Sequence, residues 1–374
     1  MIIKTSRGKK VLIILSVSIT LLLVMVALFK FFLLLPKTKL TTLTPTASTS
    51  SKLIPKQEPV VPKLSLESIF ATESADLTGL SEGKILKLIA TGDVIPARGA
   101  NWPGVKSGNF KINWEKTADY LKSGDLTLIN LETSLFAGCP LQTSGFSFCG
   151  DARQIEGIVW SGVDVASLAN NHIGNYGSAG INKTIKLLTD NAVEYSGFDH
   201  LGIKEVKGVK FGFLAYNGVG TSFNRSAVAT EVAQAKKKVD ILVVSIHWGA
   251  EYEALPKSAS NVAPDDPKEI AKIVIDAGAD LIIGNHPHWV QGVQLLDEGF
   301  VTYAHGNFIF DQTWSEETKE GVVGEYTFYD KKLIMVRLKP TKYDNQYQPR
   351  FLDPSGEGAP ILKRMQESSE ELAK

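Results

Sequence analysis

Short apolar runs alternate with amphipathic stretches from residue 84 onward. Five of these runs predict buried strands, namely Ile85–Ala90, Leu126–Ile129, Val163–Leu168, Ile241–Ile246 and Leu281–Ile283. Helical patterns lie between several of them, at Trp114–Leu121, Ala179–Leu188, Thr230–Lys238 and Pro267–Ala277. Further strands are predicted as a hairpin, Lys204–Val206 with Val209–Tyr216, and as an antiparallel set, Phe300–Ala304, Gly321–Phe328 and Leu333–Leu338. Continuous apolar strands that alternate with helices are typical of an α/β fold. We therefore predict an α/β domain over residues 84–345 and a charged C-terminal tail over residues 346–374.

The N-terminal part of the chain follows a different pattern. Residues 11–35 are almost entirely apolar, which is long enough to cross a hydrocarbon core of roughly 30 Å. Basic residues in the segment 1–10 favour a cytoplasmic N-terminus, with the domain on the outer side of the cell membrane. The alternative is a cleaved signal peptide. However, the apolar run is longer than that of a usual signal peptide, and no small-x-small cleavage site follows it directly. We therefore predict a single-pass transmembrane anchor. Residues 36–83 are rich in Thr, Ser and Pro and predict a disordered linker, with a short helix at 65–70.

Composition excludes one class of partner. Hydrophobic residues make up 44% of the chain and charged residues 21%, which is sufficient for a packed core. The 40 Lys and Arg residues balance the 40 Asp and Glu residues, so no overall positive field attracts nucleic acid. We predict that nucleic acid is not a partner.

Two cysteines lie ten positions apart in a loop-like stretch. Cys139 and Cys149 are flanked by Gly and Pro residues, and an oxidising compartment outside the membrane would allow them to pair. The alternative is two unrelated thiols, and their spacing matches no zinc motif. We predict a disulfide.

Polar residues that can bind a metal follow nearly every predicted strand. These residues are Asp93, Glu132, Asn171, His247, His286 and His288. In an open α/β sheet, ligands bind beyond the carboxyl ends of the strands, so we expect these side chains to converge although they are scattered in sequence. Carboxylates, an amide oxygen and imidazoles suit two divalent ions such as manganese, iron or zinc. Glu132 is the expected bridge between the two ions.

Each of these residues also has a simpler interpretation. Asp93 follows a glycine at a common strand-to-turn position, Asn171 is a possible helix cap, and a single histidine is more often a core or surface residue. However, four of the six histidines lie in short segments directly after apolar strands. This clustering favours a metal centre. His200 and His305 are not included among the predicted ligands.

Six sequence blocks in the same order resemble the CapA family of capsule-synthesis proteins, which belongs to the calcineurin-like metallophosphoesterase superfamily. The blocks are Gly92-Asp93 with Arg98, Asn130-Leu131-Glu132, Ala169 to His172, His247 to Tyr252, Gly284 to His288 with Gln291, and Gly306 to Gln312. The resemblance implies a four-layer α/β/β/α sandwich of the metallophosphatase type. It also implies the same six metal ligands.

The resemblance further implies roles for two residues outside the ligand set. The superfamily's proton-donating histidine corresponds to His172, a general acid for a leaving group; the alternative is a hydrogen bond that orients a ligand. Arg98 is a candidate for bidentate binding of a substrate carboxylate or phosphate, or for a surface salt bridge. The chain departs from the superfamily at Asp93-Val94-Ile95, where no imidazole follows the aspartate, and at Glu132, which stands in place of aspartate. Asn175 also replaces a more usual aspartate.

The function implied is a metal-dependent hydrolase of the phosphoesterase type in the synthesis of a capsule or cell-surface polymer such as poly-γ-glutamate. The expected partners are that anionic polymer or its precursor, and membrane synthase subunits. The alternative is a non-catalytic protein that contains metal and binds polymer or supports the synthase complex.

Overall fold

The computed structural model describes residues 60–71, 75–297, 299–343 and 346–374. These described residues belong to one compact unit. The strands in this part of the chain are β1 (Ile85–Val94), β2 (Leu126–Leu131), β3 (Ser134–Phe136), β4 (Cys149–Asp151), β5 (Val165–Ser167), β6 (Glu194–Ser196), β7 (Gly202–Val206), β8 (Val209–Asn217), β9 (Ile241–His247), β10 (Leu281–Asn285), β11 (Val293–Leu296), β12 (Gly299–Thr302), β13 (Asn307–Ile309), β14 (Glu320–Tyr329), β15 (Lys332–Tyr343) and β16 (Pro349–Phe351). The α-helices are α1 (Leu66–Phe70), α2 (Arg98–Ser107), α3 (Ala118–Leu121), α4 (Gln154–Trp160), α5 (Gly177–Asp190), α6 (Arg225–Lys236), α7 (Pro267–Asp276) and α8 (Ala359–Leu372).

The strands form two large sheets. The first has the order β16-β15-β14-β1-β2-β5-β6, with β13 paired to β1. The second has the order β11-β12-β10-β9-β8-β7. In the first sheet β1, β2, β5 and β6 run parallel, and in the second β8, β9, β10 and β12 run parallel. The mixed α/β class predicted from the sequence is therefore confirmed.

An apolar core lies between the two sheets. Leu88 of β1 faces this core together with Phe213 of β8 and Val243 of β9, and all three side chains are buried. Alternate residues of a strand point to opposite faces, so the neighbouring side chains of the same strands face outward. Burial of so many aliphatic and aromatic side chains on one shared surface holds the sheets together.

Helices cover the outer face of each sheet. Ile129 of β2 packs in a second cluster with Leu188 of α5. Val244 of β9 packs in a third cluster with Val232 of α6 and Val274 of α7. The order of layers is therefore helices, sheet, sheet, helices. Both central strand sets are covered on both faces, which explains why they are continuous apolar runs rather than alternating patterns.

The compact unit extends beyond the predicted range 84–345 at both ends. Ile69 of α1 is buried in the core between the sheets, although it precedes this range. Ile361 and Met365 of α8 are fully buried in the same core, although they lie in the segment predicted as a tail. The strand β16 also pairs with β15 after residue 345. The apolar face of α8 is thus part of the core, and its charged residues lie on the solvent side.

The predicted transmembrane anchor, residues 11–35, lies outside the described residues, as does the linker up to residue 59. Among the residues that the structure does describe, no helix has the length and apolar character needed to cross a membrane.

Cys139 and Cys149 are joined by a disulfide, with their Cα atoms 5.9 Å apart. Cys149 lies in β4, whose partner strand β3 runs parallel to it. The predicted pairing is therefore present. The bridge closes the loop between β3 and β4, which lies beside the candidate site described next.

Candidate metal centre

The candidate site lies where the parallel strands of both sheets end. Asp93 is near the end of β1, and Glu132 directly follows β2. His247 is the last residue of β9, and Asn285, the last residue of β10, is its partner across the ladder. His286 comes directly after Asn285. Because parallel strands end at one edge of each sheet, the packing of the two sheets brings the carboxylates of the first to the imidazoles of the second.

Two groups of three side chains in this cluster have the spacing of metal ligands. The first group is Asp93, Glu132 and His247, and the second is Glu132, His286 and His288. Within each group, one potential ligand atom of every residue lies within 4.8 Å of the others. Glu132 belongs to both groups. Glu132 is therefore placed to contact a cation in either group, and its role as a bridge between two ions stays a prediction.

Asn171 joins the cluster through its amide oxygen. Its Oδ1 lies 2.9 Å from Nε2 of His247, and the same ring nitrogen is 3.3 Å from Oε1 of Glu132. The rings of His247 and His286 have centroids 4.8 Å apart. All six side chains predicted as ligands therefore meet at one place, as the strand-end argument expects.

The residues present fit a divalent cation. Glu132 and His286 are buried, at 0% and 1% exposure. Yet Oε1 of Glu132 and both ring nitrogens of His286 have no hydrogen-bond partner among the described residues. Buried polar atoms are normally hydrogen-bonded, and leaving one without a partner costs about 1–3 kcal/mol. Carboxylate oxygen and imidazole nitrogen are also the donors that manganese, iron and zinc accept.

Burial and neighbouring charges shift the pKa values of the side chains in the cluster. Burial, together with the nearby Asp93 carboxylate, raises the pKa of Glu132 well above its usual value. Burial alone would also raise the pKa of Asp93, but the hydrogen bond and charge of His288 lower it. Burial lowers the pKa of His247 to about 3 and that of His286 well below its usual value. Burial opposes protonation of His288 too, but its hydrogen bond to Asp93 and the charge of Glu132 raise its pKa to about 9. Cation binding therefore competes with protons at Glu132 and His288.

The local backbone around the ligands is unusual in two respects. His286 and His288 adopt positive φ angles of 96° and 58°, a conformation that costs a non-glycine residue roughly 1–3 kcal/mol and clusters at functional sites. Two of the ligand segments begin with a glycine, at Gly92 and Gly284, because the backbone of another segment passes too close to leave room for a side chain. A Cβ on Gly92 would lie 2.0 Å from the carbonyl oxygen of Gly306, and one on Gly284 would lie 1.9 Å from that of Tyr303.

His172 lies beside the cluster, with Nε2 4.0 Å from Oε1 of Glu132. The backbone N–H of Phe148 donates to Oδ1 of Asn175 over 2.7 Å, which orients that amide. Nδ1 of His172 is 3.0 Å from the same oxygen, so Nδ1 carries a hydrogen and Nε2 faces the cluster. Burial lowers the pKa of His172 to about 4. Asn175 therefore supplies the orienting contact that an aspartate would otherwise make, without a negative charge.

Arg98 lies behind this part of the site. Its guanidinium pairs with Asp311 and also donates to the carbonyl of Gly145 over 2.7 Å. It packs over the rings of Phe148 and Phe310, at 4.7 and 5.2 Å. Its side chain is only 8% exposed, so the ion pair is buried rather than on the surface. These contacts favour the ion-pair alternative for Arg98, and substrate binding by this residue stays a prediction.

Several residues of the site were not predicted from the sequence. Asn130 donates to Oδ1 of Asp93 over 2.8 Å, and Oδ1 of Asn307 lies 2.9 Å from Nδ1 of His288. Both pair with Asp93 across the sheet, and both lie in sequence blocks that carry the family resemblance, which are the signals that could have identified them. Glu251 lies 4.0 Å from Nε2 of both His286 and His288.

The two histidines left out of the ligand set lie in different surroundings. His305 is fully buried, with Nε2 2.8 Å from the hydroxyl of Tyr326 and Nδ1 3.2 Å from the carbonyl of Thr91. His200 is 39% exposed and pairs with Glu194. Neither belongs to the two ligand groups.

The fold and this cluster define a mixed α/β protein with a candidate metal centre at the strand ends. Residues 87–312, more than half of the chain, match the model of the family described as "Bacterial capsule synthesis protein PGA_cap". The chain belongs to this family. The resemblance to CapA-type capsule-synthesis proteins is thus confirmed.

Curated relatives agree with this membership. The chain is 29% identical over 287 residues to the "Capsule biosynthesis protein CapA" of Bacillus anthracis, covering 69% of this chain and 68% of that one. It is 28% identical over 183 residues to the "PGA biosynthesis protein CapA" of Bacillus subtilis, covering 43% and 46%. It is also 24% identical over 236 residues to a "Probable polyglutamine synthesis accessory protein" of Mycobacterium tuberculosis, covering 54% and 58%. The matched part thus spans about half the length of the last two relatives.

Solved structures show a looser similarity. A hypothetical protein from Thermus thermophilus has a TM-score of 0.47 at 14% identity, covering 69% of this chain and all of that one. A putative 5'-nucleotidase from Staphylococcus aureus has a TM-score of 0.43 at 14% identity, covering 76% and 58%.

Proposed function

We propose that this chain is a metal-dependent hydrolase of the phosphoesterase type that acts in the synthesis of a capsule or related cell-surface polymer. The single observation that carries the proposal is the pair of ligand groups that share buried Glu132. Family membership supports the biosynthetic setting. The layered fold, with helices outside two sheets, is consistent with the metallophosphatase-like architecture that the resemblance implies, and it supports the proposal.

The cation site would be formed by the carboxylates and the imidazoles together with one amide oxygen. The residues are Asp93, Glu132, Asn171, His247, His286 and His288. When bound, one or two divalent ions polarise a phosphoryl or acyl oxygen and lower the pKa of a bound water. The chain itself orients the donors: Asn130 holds Asp93 by a 2.8 Å hydrogen bond, and Asn307 lies against His288.

His172 would transfer a proton to the leaving group. This role requires a proton on Nε2, the nitrogen that faces the cluster, while Nδ1–H remains with Asn175. An anionic substrate group beside the ring would raise the pKa of His172 from its low value, because it stabilises the imidazolium. The ring can then donate from Nε2 to a leaving oxygen without turning.

The substrate class would be an anionic surface polymer or its precursor. Relatives carry names for capsule biosynthesis, PGA biosynthesis and polyglutamine synthesis, which favours a poly-γ-glutamate-like polymer. Membrane synthase subunits would be the protein partners.

The domain would lie outside the cell membrane, held by the predicted anchor at residues 11–35 with a cytoplasmic N-terminus. The Cys139–Cys149 disulfide supports this location, because disulfides persist in oxidising compartments and are rare in the cytosol.

The test uses the purified full-length chain in detergent, a panel of phosphomonoester, phosphodiester and γ-glutamyl peptide substrates, and added manganese, iron or zinc. We expect turnover of one substrate class by the wild-type chain. His172→Gln should lower it roughly 10²-fold or more while metal content is retained, and His247→Ala should lose part of the bound metal. His200→Gln, at an exposed histidine, is the matched control and should behave as wild type.

The same variants separate an enzyme from a non-catalytic metal protein. The name "accessory protein" of the mycobacterial relative favours the second possibility. If cells with His172→Gln make normal amounts of polymer while cells with His247→Ala do not, the metal serves binding or assembly and the hydrolase proposal is wrong.

A further inference from the structure

The loop after β9 carries a carboxylate that faces the second ligand group. Oε1 of Glu251 lies 4.0 Å from Nε2 of His286 and 4.0 Å from Nε2 of His288. We infer that Glu251 is a further ligand, which completes the Glu132–His286–His288 group around a divalent cation. This inference rests on the proposed metal centre and extends it by one residue.

Hydrogen bonds hold the loop against the histidine segment. The backbone N–H of Tyr252 donates to the carbonyl of Pro287 over 2.9 Å, and Pro287 is the residue between the two histidines. On the other side of Glu251, the N–H of Ala250 donates to the carbonyl of Lys257 over 2.8 Å. These backbone hydrogen bonds of Ala250 and Tyr252 therefore hold Glu251 next to the rings of His286 and His288.

Side chains reinforce this position. Nε2 of Gln291, which is fully buried, donates to the carbonyls of Glu253 and Leu255 over 2.9 and 3.2 Å. Gln312 donates to the Tyr252 hydroxyl over 2.9 Å. A loop tied at this many points presents the Glu251 carboxylate with little further loss of conformational entropy on binding a cation.

The two histidines have nitrogens available for the ion. Nδ1 of His288 lies 3.1 Å from Asp93 Oδ2 and 2.9 Å from Asn307 Oδ1, both acceptors, so Nδ1 donates and Nε2 is directed to Glu251. Neither ring nitrogen of His286 has a hydrogen-bond partner among the described residues. A buried imidazole without partners, next to a carboxylate held by the backbone, is the arrangement that a cation would stabilise.

The separations fit one shared ion. Imidazole nitrogens and carboxylate oxygens lie about 2.0–2.2 Å from zinc, so two ligands of one ion are roughly 3–4 Å apart. The 4.0 Å distances are at the upper end of that range, and a small rotation of the Glu251 side chain closes them. Its side chain is 38% exposed, so this ligand lies on the solvent side of the group, while Glu132 lies on the buried side.

The test is Glu251→Gln in the full-length chain, which keeps the size of the side chain and removes its charge. Glu253→Gln is the matched control, because Glu253 is in the same loop and its carboxylate pairs with Lys257 at 3.0 Å. Bound metal is counted by elemental analysis after incubation with manganese or zinc, and affinity is measured by calorimetric titration. We expect Glu251→Gln to lose one ion or to bind it at least tenfold more weakly, and Glu253→Gln to match wild type.

Two outcomes overturn the inference in distinguishable ways. If the wild-type chain binds metal and Glu251→Gln binds the same number of ions with less than a tenfold change in affinity, Glu251 is not a ligand while the metal centre stands. If Glu253→Gln loses as much metal as Glu251→Gln, the conclusion is again that Glu251 is not a ligand, because the loss then reflects the charge of the whole loop. If the wild-type chain binds no metal, the proposed centre fails and this assignment fails with it.

Discussion

His172 lies against Phe148, with ring centroids 4.1 Å apart. Phe148 directly precedes Cys149, so the loop closed by the disulfide ends next to the Phe148 ring. This ring packs on His172, the proposed proton donor. Phe148 also packs against Phe310, and its backbone N–H shares the Asn175 oxygen with His172. The disulfide thus fixes one end of the loop that positions His172.

Loss of the disulfide should lower stability. Cys139→Ser with Cys149→Ser removes a cross-link over a separation of 10 residues, and we expect the free energy of unfolding to fall by about 2–3 kcal/mol. Denaturant unfolding measures this, and Ser144→Ala in the same loop is the control, with a change within about 0.5 kcal/mol. Recovery of both cysteines as free thiols after alkylation of intact cells would contradict the bridge.

His305 should make the stability of the metal-free chain depend on pH. Burial lowers its pKa to about 4, whereas the unfolded chain takes up this proton near pH 6.5. Between those values the unfolded state binds more protons, so stability falls as pH falls from 6.5 to 4, by up to about 1.4 kcal/mol per pH unit. Below pH 4 both states are protonated and this contribution stays constant.

The check is the pH slope of unfolding free energy in the presence of a chelator. Between pH 4 and 6.5, His305→Gln should reduce the slope of the unfolding free energy against pH by up to about 1.4 kcal/mol per pH unit, which corresponds to one proton. Thr302→Val is the control, because Thr302 shares the Tyr326 hydroxyl with His305 and does not titrate; it should lower stability equally at each pH. Equal slopes for wild type and His305→Gln would contradict this account, because they would show that His305 takes up its proton at the same pH in the folded and the unfolded chain.

The C-terminal helix α8 should contribute to the core. Met365 is fully buried between the sheets, and Met365→Ala should cost about 2–5 kcal/mol because it leaves a cavity. Lys363 is 75% exposed on the same helix, and Lys363→Ala should change stability by less than about 0.5 kcal/mol. Similar small effects of both variants in thermal unfolding would mean that α8 is a peripheral tail.

The sequence was sufficient to predict secondary structure and site residues where the local pattern of apolar residues agrees with the long-range packing. All five apolar runs contain strands in the structure, because parallel strands covered on both faces have a continuous apolar sequence. The polar residues after them converge because parallel strands end at the same edge of a sheet. The predicted helix Trp114–Leu121 is shorter in the structure, as α3, because Trp114 packs in the core from an irregular turn. Phe300, predicted beside Gly321–Phe328, instead lies in the second sheet next to β10.

Other features depend on contacts that no local pattern encodes. The core role of Met365 was missed because a mostly polar helix with a narrow apolar face resembles a peripheral one. Glu251 was missed as a ligand candidate because it lies in a loop after the strand end. Long-range hydrogen bonds, such as that between Tyr252 and Pro287, hold it near the histidines.

The most direct measurement is the metal content of the full-length chain and of Glu132→Ala. Glu132 is the one residue common to both ligand groups, whereas His247 belongs to one of them. After incubation with manganese or zinc and removal of free metal, the wild-type chain should retain up to two ions, His247→Ala should retain fewer, and Glu132→Ala should retain almost none. Trace metal in the folded wild-type chain, or full retention by Glu132→Ala, would contradict a metal centre built around Glu132.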